Sequence, residues 1–188
     1  IRLLDDTFIE FINVMSQNAD FSQCIQNISD EKKEQRYDQE LVLRFFAFKN
    51  YRDEYVHDVG DFLTEYMEAL SDRENEITFN YEEERLSFER TFNVLRKVLG
   101  EQIFSGTNVN GTLINRFLAY HFEAFAIGIQ EFLDRINDDD IERLKNLFLE
   151  IKRDAAFKTI TTGGGKNYSG PLEERINFVS ERVRELWI

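Results

Sequence analysis

Apolar residues recur every three or four positions along almost the whole chain, which is the spacing of one face of an α-helix. The first such stripe joins Leu4, Phe8, Phe11 and Met15. Later stripes cover residues 41–48, 59–70, 88–99, 118–136, 141–151 and 172–186. Eighteen of the 188 residues are Phe, and such bulky stripes favour an irregular bundle over a regular four-helix bundle. We therefore expect one all-α domain over residues 1–188, an irregular multi-helix globular bundle of seven or eight helices without a convincing strand.

Residues 41–48 form the most apolar segment, and two secondary structures compete for it. A buried β-strand would suit eight residues of which seven are apolar. However, Asp38, Gln39 and Glu40 lead into the segment in helical register, without any turn residue. We therefore predict a helix end that is buried on nearly all sides.

The longest predicted helix runs over residues 114–136 and has two apolar faces. One face carries Phe122 and Phe125, and the opposite edge carries Phe117 and Tyr120. A helix with two such faces packs on both sides, so we expect it to be the central and most buried helix, with Phe122 and Phe125 as structural core residues. The preceding residues 105–112 are rich in Ser, Gly, Thr and Asn and predict a loop.

Several helix ends carry recognisable capping residues. Ser29 and Asn80 suit N-terminal caps, because a short polar side chain can accept a backbone N–H of the first turn. Gly100 suits a C-terminal cap, and Pro171 suits a first turn, where its missing N–H costs nothing. The acidic run Asp138–Asp140 suits the start of another helix, since it faces the positive end of the dipole. A metal site is the alternative for this run, but it lacks ligand spacing of the EF-hand type.

The charge of the chain argues against general nucleic-acid binding. Lys and Arg number 23 against 36 Asp and Glu, a formal net charge of −13 that repels a phosphate backbone. One segment reverses this balance, because residues 143–168 hold six basic and two acidic residues. Its later cations, Lys152, Arg153, Lys158 and Lys166, are candidates for contact with phosphate or DNA, and a solvated helix face is the alternative.

A glycine-rich loop lies near the end of this basic segment. Gly163, Gly164 and Gly165 could hold a phosphate through their backbone N–H groups, and Lys166 could neutralise it. The spacing is not that of a Walker A motif, and no Ser or Thr follows the lysine. The alternative is a flexible connector between two helices.

No set of catalytic or metal-binding residues can be assembled from the sequence. The two histidines, His57 and His121, are far apart, and the chain lacks an HExxH motif. We expect His121 to be hydrogen-bonded and partly buried, and the single Cys24 to lie in the core. Glu40 and Arg44 are four residues apart on one predicted helix, which favours a structural salt bridge. We therefore expect no catalytic residue, no metal and no cofactor in this chain.

Six segments of the sequence together carry a family resemblance. They are residues 1–3, 36–47, 62–67, 120–125, 161–167 and 175–179. The strongest is residues 36–47, which read RYDQELVLRFFA. In this order the segments resemble the helical region of the GmrSD-type family, whose N-terminal domain is ParB/sulfiredoxin-like. Members of that family serve in modification-dependent DNA restriction and phage defence.

The resemblance implies a role for the chain and a set of partners. In this family the nucleotide chemistry lies in the upstream ParB-like domain, around an Asp-Gly-Gln-Gln-Arg segment, and some members add an HNH nuclease domain. Neither motif occurs in these 188 residues, so no catalytic residue is carried over. The resemblance therefore implies a helical scaffold that contacts other domains of a parent protein, and DNA only through that protein.

Two further features of the sequence concern its first residues and its location in the cell. The sequence opens at Ile1 directly on an amphipathic pattern, which predicts a piece of a longer protein. It contains no signal-peptide pattern and no apolar run of about 20 residues, so we expect a cytoplasmic protein without a membrane partner. A free-standing all-α module whose Phe-rich grooves bind a partner helix is the alternative function.

Overall fold

The computed structural model describes residues 6–72 and 77–187, which form a helical fold with one small sheet. Eight of the ten described α-helices have seven or more residues, which confirms the predicted all-α class and helix number. None of the described helices is both long enough and apolar enough to cross a membrane. Leu4 of the first stripe and residues 1–3 of the resemblance lie outside the described residues. The helices are α1 (Asp6–Ser16), α2 (Ala19–Cys24), α3 (Asp30–Glu34), α4 (Tyr37–Asn50), α5 (Val59–Ser71), α6 (Tyr81–Leu99), α7 (Ala119–Gly128), α8 (Ile141–Arg153), α9 (Ala155–Thr161) and α10 (Ser169–Arg184).

The capping residues predicted for several helix ends occupy those positions in the structure. The side chains of Ser29 and Asn80 each accept a backbone N–H from the first turn of the following helix, at 3.4 and 3.3 Å. Gly100 closes α6 with φ at +53°, a left-handed conformation that glycine adopts without a side-chain clash. Pro171 lies in the first turn of α10, where its missing N–H is not needed.

The apolar segment at the end of α4 is helical and buried, as its register predicts. Leu41, Val42, Phe45 and Phe46 are all fully buried. The rings of Phe45 and Phe46 pack against Phe88 of α6, with centroid separations of 5.4 and 5.6 Å. Ring pairs of this kind contribute about 0.5–1.5 kcal/mol beyond the burial of their area. α4 is therefore an interior element, packed against α1, α5 and α7.

The loop and helix predicted for residues 105–136 are replaced by a hairpin and a shorter helix. β1 (Ser105–Thr107) and β2 (Leu113–Phe117) pair antiparallel, so the predictions of no strand and of a helix start at residue 114 are wrong. The pair Asn110-Gly111 lies in the hairpin turn, where Gly111 adopts φ of +76°. α7 begins at Ala119 because the chain is still extended in β2 up to residue 117.

α7 ends at Gly128 instead of continuing to residue 136, because the chain passes into a short 3₁₀-helix at Gln130–Phe132. Gly128 lies at a close approach of α7 and α10, where a Cβ atom would come within 2.8 Å of Val179 Cβ. All eight residues from 121 to 128 are buried. The predicted central position of this segment, with Phe122 and Phe125 in the core, is therefore confirmed.

Phe122 provides a test of that central position. Its ring is fully buried, 5.0 Å from the ring of Phe104 and 6.1 Å from that of Phe92. Replacing Phe122 with Ala should lower the free energy of unfolding by about 3–5 kcal/mol, because lost packing leaves a cavity. Urea denaturation measures the effect, with Leu86→Ala at a half-exposed position as the surface control. An unchanged midpoint for Phe122→Ala would show that α7 is not the central helix.

Candidate functional site

A glutamate in the middle of the fold joins three helices through ion pairs. Glu123 of α7 accepts a hydrogen bond from Arg44 of α4 at 3.0 Å and from Arg175 of α10 at 2.8 Å. Each carboxylate oxygen serves one arginine, and the side chains of Glu123 and Arg175 are only 1% exposed. Burying these charges is costly unless they are paired, and the three-way contact provides that pairing. We call Arg44, Glu123 and Arg175 the buried triad.

Glu40 completes the charge balance of the buried triad. Its carboxylate pairs with Arg44 at 2.6 Å, which confirms the predicted structural salt bridge. Glu40 is 44% exposed and the Arg44 side chain 11% exposed, so this pair links the triad to the surface. Burial alone would lower the pKa of Arg44, but the neighbouring carboxylates, chiefly Glu123, raise it above its ordinary value. Two guanidinium groups thus face two carboxylates.

Arg175 connects the buried triad to the glycine-rich loop. Its guanidinium donates to the Lys166 carbonyl oxygen at 3.3 Å and lies 4.3 Å from the centre of the Tyr120 ring. The Tyr120 hydroxyl donates in turn to Asn167 Oδ1 at 3.0 Å. These contacts attach the end of the loop to α7 and α10.

Tyr55 places a buried hydroxyl within the electrostatic reach of the triad. Its oxygen has no hydrogen-bond partner among the described residues. Burial, followed by the negative charge of Glu123, raises the pKa of Tyr55 to about 12. The hydroxyl is therefore protonated at neutral pH.

Lys152 forms a second buried junction, which corrects its predicted contact with phosphate or DNA. The residue is 1% exposed, and its Nζ donates to the carbonyl oxygens of Ile103 and Ser105 at 2.8 and 2.7 Å. Nζ also lies 3.3 Å from His121 Nδ1 and 4.6 Å from the centre of the Phe125 ring. Burial holds the pKa of Lys152 well below its usual range, and three acceptors satisfy the three hydrogens of its ammonium form. Lys152 therefore fastens the hairpin to α7 and α8 and is not accessible to DNA.

The same junction explains His121, whose predicted hydrogen bond is present and whose burial is complete rather than partial. Because Nδ1 faces the Lys152 ammonium, the site suits a neutral ring with its lone pair on Nδ1. Burial, and then the cation of Lys152, hold the pKa of His121 well below its usual range. A proton on His121 would place two cations 3.3 Å apart in the interior.

The low pKa of His121 predicts a loss of stability in mild acid. The unfolded chain takes up a proton there near pH 6.5 and the folded chain does not, so a falling pH favours unfolding. We expect the free energy of unfolding to fall by up to about 1.4 kcal/mol per pH unit between about pH 6.5 and pH 5. Denaturation curves across this range should show the slope in the exposed His57→Gln variant. An equal slope in His121→Gln would refute the assignment to His121.

Three of the four candidate cations lie near the surface, beside the hairpin and along α9. Arg153 is exposed, and its Nε donates to the Gly111 carbonyl oxygen in the hairpin turn at 3.1 Å. Lys158 is half-buried on α9, and Lys166 donates to two carbonyl oxygens at the C-terminal end of that helix. None of the three pairs with a carboxylate within residues 6–72 and 77–187. We call Arg153, Lys158 and Lys166 the basic surface.

The glycine-rich loop has a backbone conformation that accounts for two of its glycines. Gly163 and Gly165 have φ values of +85° and +73°, where a side chain would be strained. The loop is exposed, and a Cβ atom at Gly164 or Gly165 would contact nothing within 4 Å. The conformation suits a connector between α9 and α10. A phosphate cradle formed by these glycines and Lys166 stays a prediction.

The acidic run Asp138–Asp140 serves a helix start, as predicted. Asn137 and Asp140 form a reciprocal capping box, and Asp138 pairs with Lys97 at 2.6 Å. In the described part of the chain, no group of three His, Cys, Asp or Glu side chains is arranged to hold a metal ion.

Most side-chain polar atoms of both junctions are bonded within the protein, and Arg44 Nε is one without a hydrogen-bond partner among the described residues. The buried triad joins α4, α7 and α10, and Lys152 joins the hairpin to α7 and α8. What the site offers to a ligand is therefore the basic surface and the exposed glycine-rich loop. No protein-family model, curated protein or solved structure matches the chain.

Proposed function

We propose that this chain is the helical scaffold region of a GmrSD-type defence protein. In this role it positions a ParB-like domain that processes nucleotides and, in some members, a nuclease domain, and the whole protein acts in the cytoplasm. The observation that carries the proposal is the position of the resembling segments around the buried triad.

Four of the six resembling segments meet at this triad. They contribute, in chain order, Arg44, Glu123, the carbonyl oxygen of Lys166 and Arg175. The two ion pairs span 79 and 52 residues of sequence. The resembling segments thus pack as one unit, which is compatible with a shared structural role.

This arrangement suits a scaffold. A buried carboxylate shared by two arginines resists displacement, because moving either helix would leave a charge unpaired in the interior. The close approach at Gly128 further fixes α10 against α7. A rigid helical body of this kind can hold neighbouring domains at a fixed distance, as the proposed role requires.

Within such a protein, the basic surface is the part of this chain that we expect to contact DNA. Arg153 is the first candidate, since a guanidinium group can bind a phosphate with two hydrogen bonds. The net charge of −13 opposes duplex binding by the isolated chain at physiological salt. The contact would therefore depend on the rest of the protein.

The gene sequence upstream of the Ile1 codon tests the family proposal. An upstream ParB-like domain with a segment resembling Asp-Gly-Gln-Gln-Arg is the expected result. A start codon directly before Ile1 would contradict the proposal, because no domain would remain for the scaffold to position.

A groove between α1 and α4 favours a second candidate, a free-standing module that binds a partner helix. The groove encloses about 390 Å³, and its apolar lining consists of Phe8, Ile9, Ile12, Leu43 and Met67. Ile9 is 46% exposed, so apolar surface is available to a partner there. The upstream gene sequence separates the two candidates, since a start codon directly before Ile1 would favour the module.

A further inference from the structure

The β1–β2 hairpin lies in an acid-free segment of an acidic protein. From Gln102 to Phe122 the sequence contains no Asp or Glu, and no longer stretch of the chain lacks them. Arg116 is the one Lys or Arg in this stretch, and it is exposed on β2 beside the exposed Asn115. The hairpin is therefore the part of the chain that least repels a phosphate backbone through its own residues.

The hairpin turn is held in one conformation by a single asparagine. Asn108 Oδ1 accepts the backbone N–H groups of Asn110 and Thr112 at 2.9 and 3.0 Å. The Asn108 backbone donates to the Thr112 carbonyl oxygen at 2.8 Å and accepts the Gly111 N–H at 3.0 Å. A turn fixed in this way loses little conformational entropy when it binds a partner.

The turn presents an apolar side chain at its outermost point. Val109 is 98% exposed and lies between the exposed side chains of Asn108 and Asn110. A single exposed apolar residue is common on protein surfaces. Here, however, the residue lies between two amides in a hydrogen-bonded turn whose Gly111 carbonyl oxygen contacts a cation, which suits recognition of a polar surface with apolar groups on it.

That cation is Arg153, which flanks the turn. Its Nε donates to the Gly111 carbonyl oxygen at 3.1 Å, and its two Nη groups have no hydrogen-bond partner among the described residues. The neighbouring Lys152 holds the base of the hairpin through the Ser105 carbonyl oxygen at 2.7 Å. The hairpin is thus fastened at both its base and its turn, with a guanidinium group beside Gly111 that can bind an anion.

We infer that the turn of this hairpin, residues 108–112, enters the major groove of duplex DNA, with Val109 against a thymine methyl group and Arg153 on a nearby phosphate. The major groove of B-DNA accommodates a two-stranded β-ribbon, and apolar side chains recognise the thymine methyl group there. The inference rests on the DNA contact proposed for the basic surface, and it assigns the recognition of bases to the hairpin.

Fluorescence anisotropy of the full chain with a short A·T-rich duplex tests this inference at roughly 20 mM salt, where phosphate contacts are strong. Val109→Ser should weaken binding about fivefold and leave its dependence on salt unchanged, because it removes an apolar contact and no charge. Deoxyuridine in place of thymine should weaken binding of the native chain by a similar factor and have no further effect on Val109→Ser. Val14→Ser, at a half-exposed position on α1, is the matched control and should bind like the native chain.

Arg153→Glu separates the hairpin inference from the DNA contact itself. If this variant binds more weakly while Val109→Ser and deoxyuridine have no effect, the basic surface contacts DNA and the hairpin inference is overturned. If the native chain fails to bind duplex at low salt, the hairpin inference is overturned, whereas the DNA contact of the basic surface is tested separately in the full-length protein. The family proposal is decided independently by the upstream gene sequence.

Discussion

Replacing Glu123 with Ala is expected to lower the free energy of unfolding by about 3–5 kcal/mol, because it leaves two buried guanidinium groups without their shared carboxylate. Both Glu123 and Arg175 are 1% exposed, so water cannot take over the lost contacts without opening the interface between α7 and α10. Chemical denaturation of the variant and the native chain measures the difference.

Two further variants test whether the stability lost in Glu123→Ala arises because the charges are buried. Glu40→Gln removes the 44% exposed carboxylate and should cost less than about 1 kcal/mol, as surface ion pairs do. Replacing all three residues of the buried triad with Met should recover much of the loss, because no charge is then left unpaired. A loss below about 1 kcal/mol for Glu123→Ala would show that the triad does not hold these helices together.

Replacing Lys152 with Met is expected to lower the free energy of unfolding by about 2–4 kcal/mol. Met keeps the apolar stem, but the carbonyl oxygens of Ile103 and Ser105 lose their buried donor, and an unpaired buried acceptor costs about 1–3 kcal/mol. The loss should be local, so the amides of the hairpin should exchange with deuterium faster than those of α7.

Lys145→Met, on the same helix, is the matched control for Lys152. The Lys145 side chain is 44% exposed and, among the described residues, forms no hydrogen bond or ion pair with the hairpin, so this change should cost less than about 0.5 kcal/mol. Native stability together with native exchange rates in the hairpin of Lys152→Met would contradict the role of Lys152 as the anchor of the hairpin.

Helical periodicity was sufficient to predict most of the fold. It placed α4 through residues that could have formed a strand. The expected core position of Cys24 is also confirmed, since the thiol is buried. The hairpin escaped prediction because strands of three and five residues are too short to display a period of two. Its one local indication is the pair Asn110-Gly111, which favours a tight hairpin turn.

The buried triad was predictable only where its members share a helix. Glu40 and Arg44 lie four residues apart, so their spacing alone indicated a salt bridge. Glu123 lies 79 residues from Arg44 and 52 from Arg175. Contacts of that separation depend on how the helices pack, which the periodicity of one segment does not encode.

Lys152 is a different case, because the sequence did contain an indication of its burial. It follows Phe148 by four residues and Leu144 by eight, which places it on the apolar face of α8. Charge composition over residues 143–168 grouped it with exposed cations because counting charges takes no account of the face on which a residue lies.

The dependence of DNA affinity on salt in the full-length protein tests most directly whether this chain is a scaffold with a DNA-facing basic surface. Arg153→Glu with Lys158→Glu should weaken binding to all duplex sequences alike. It should also make the plot of log affinity against log salt shallower by about 2, since each lost phosphate contact removes about 0.9 from the slope. Reversal of Lys32 and Lys33, two exposed lysines of α3, changes the net charge equally and should leave the slope unchanged. Native affinity and a native slope in the Arg153 and Lys158 variant would contradict the DNA contact.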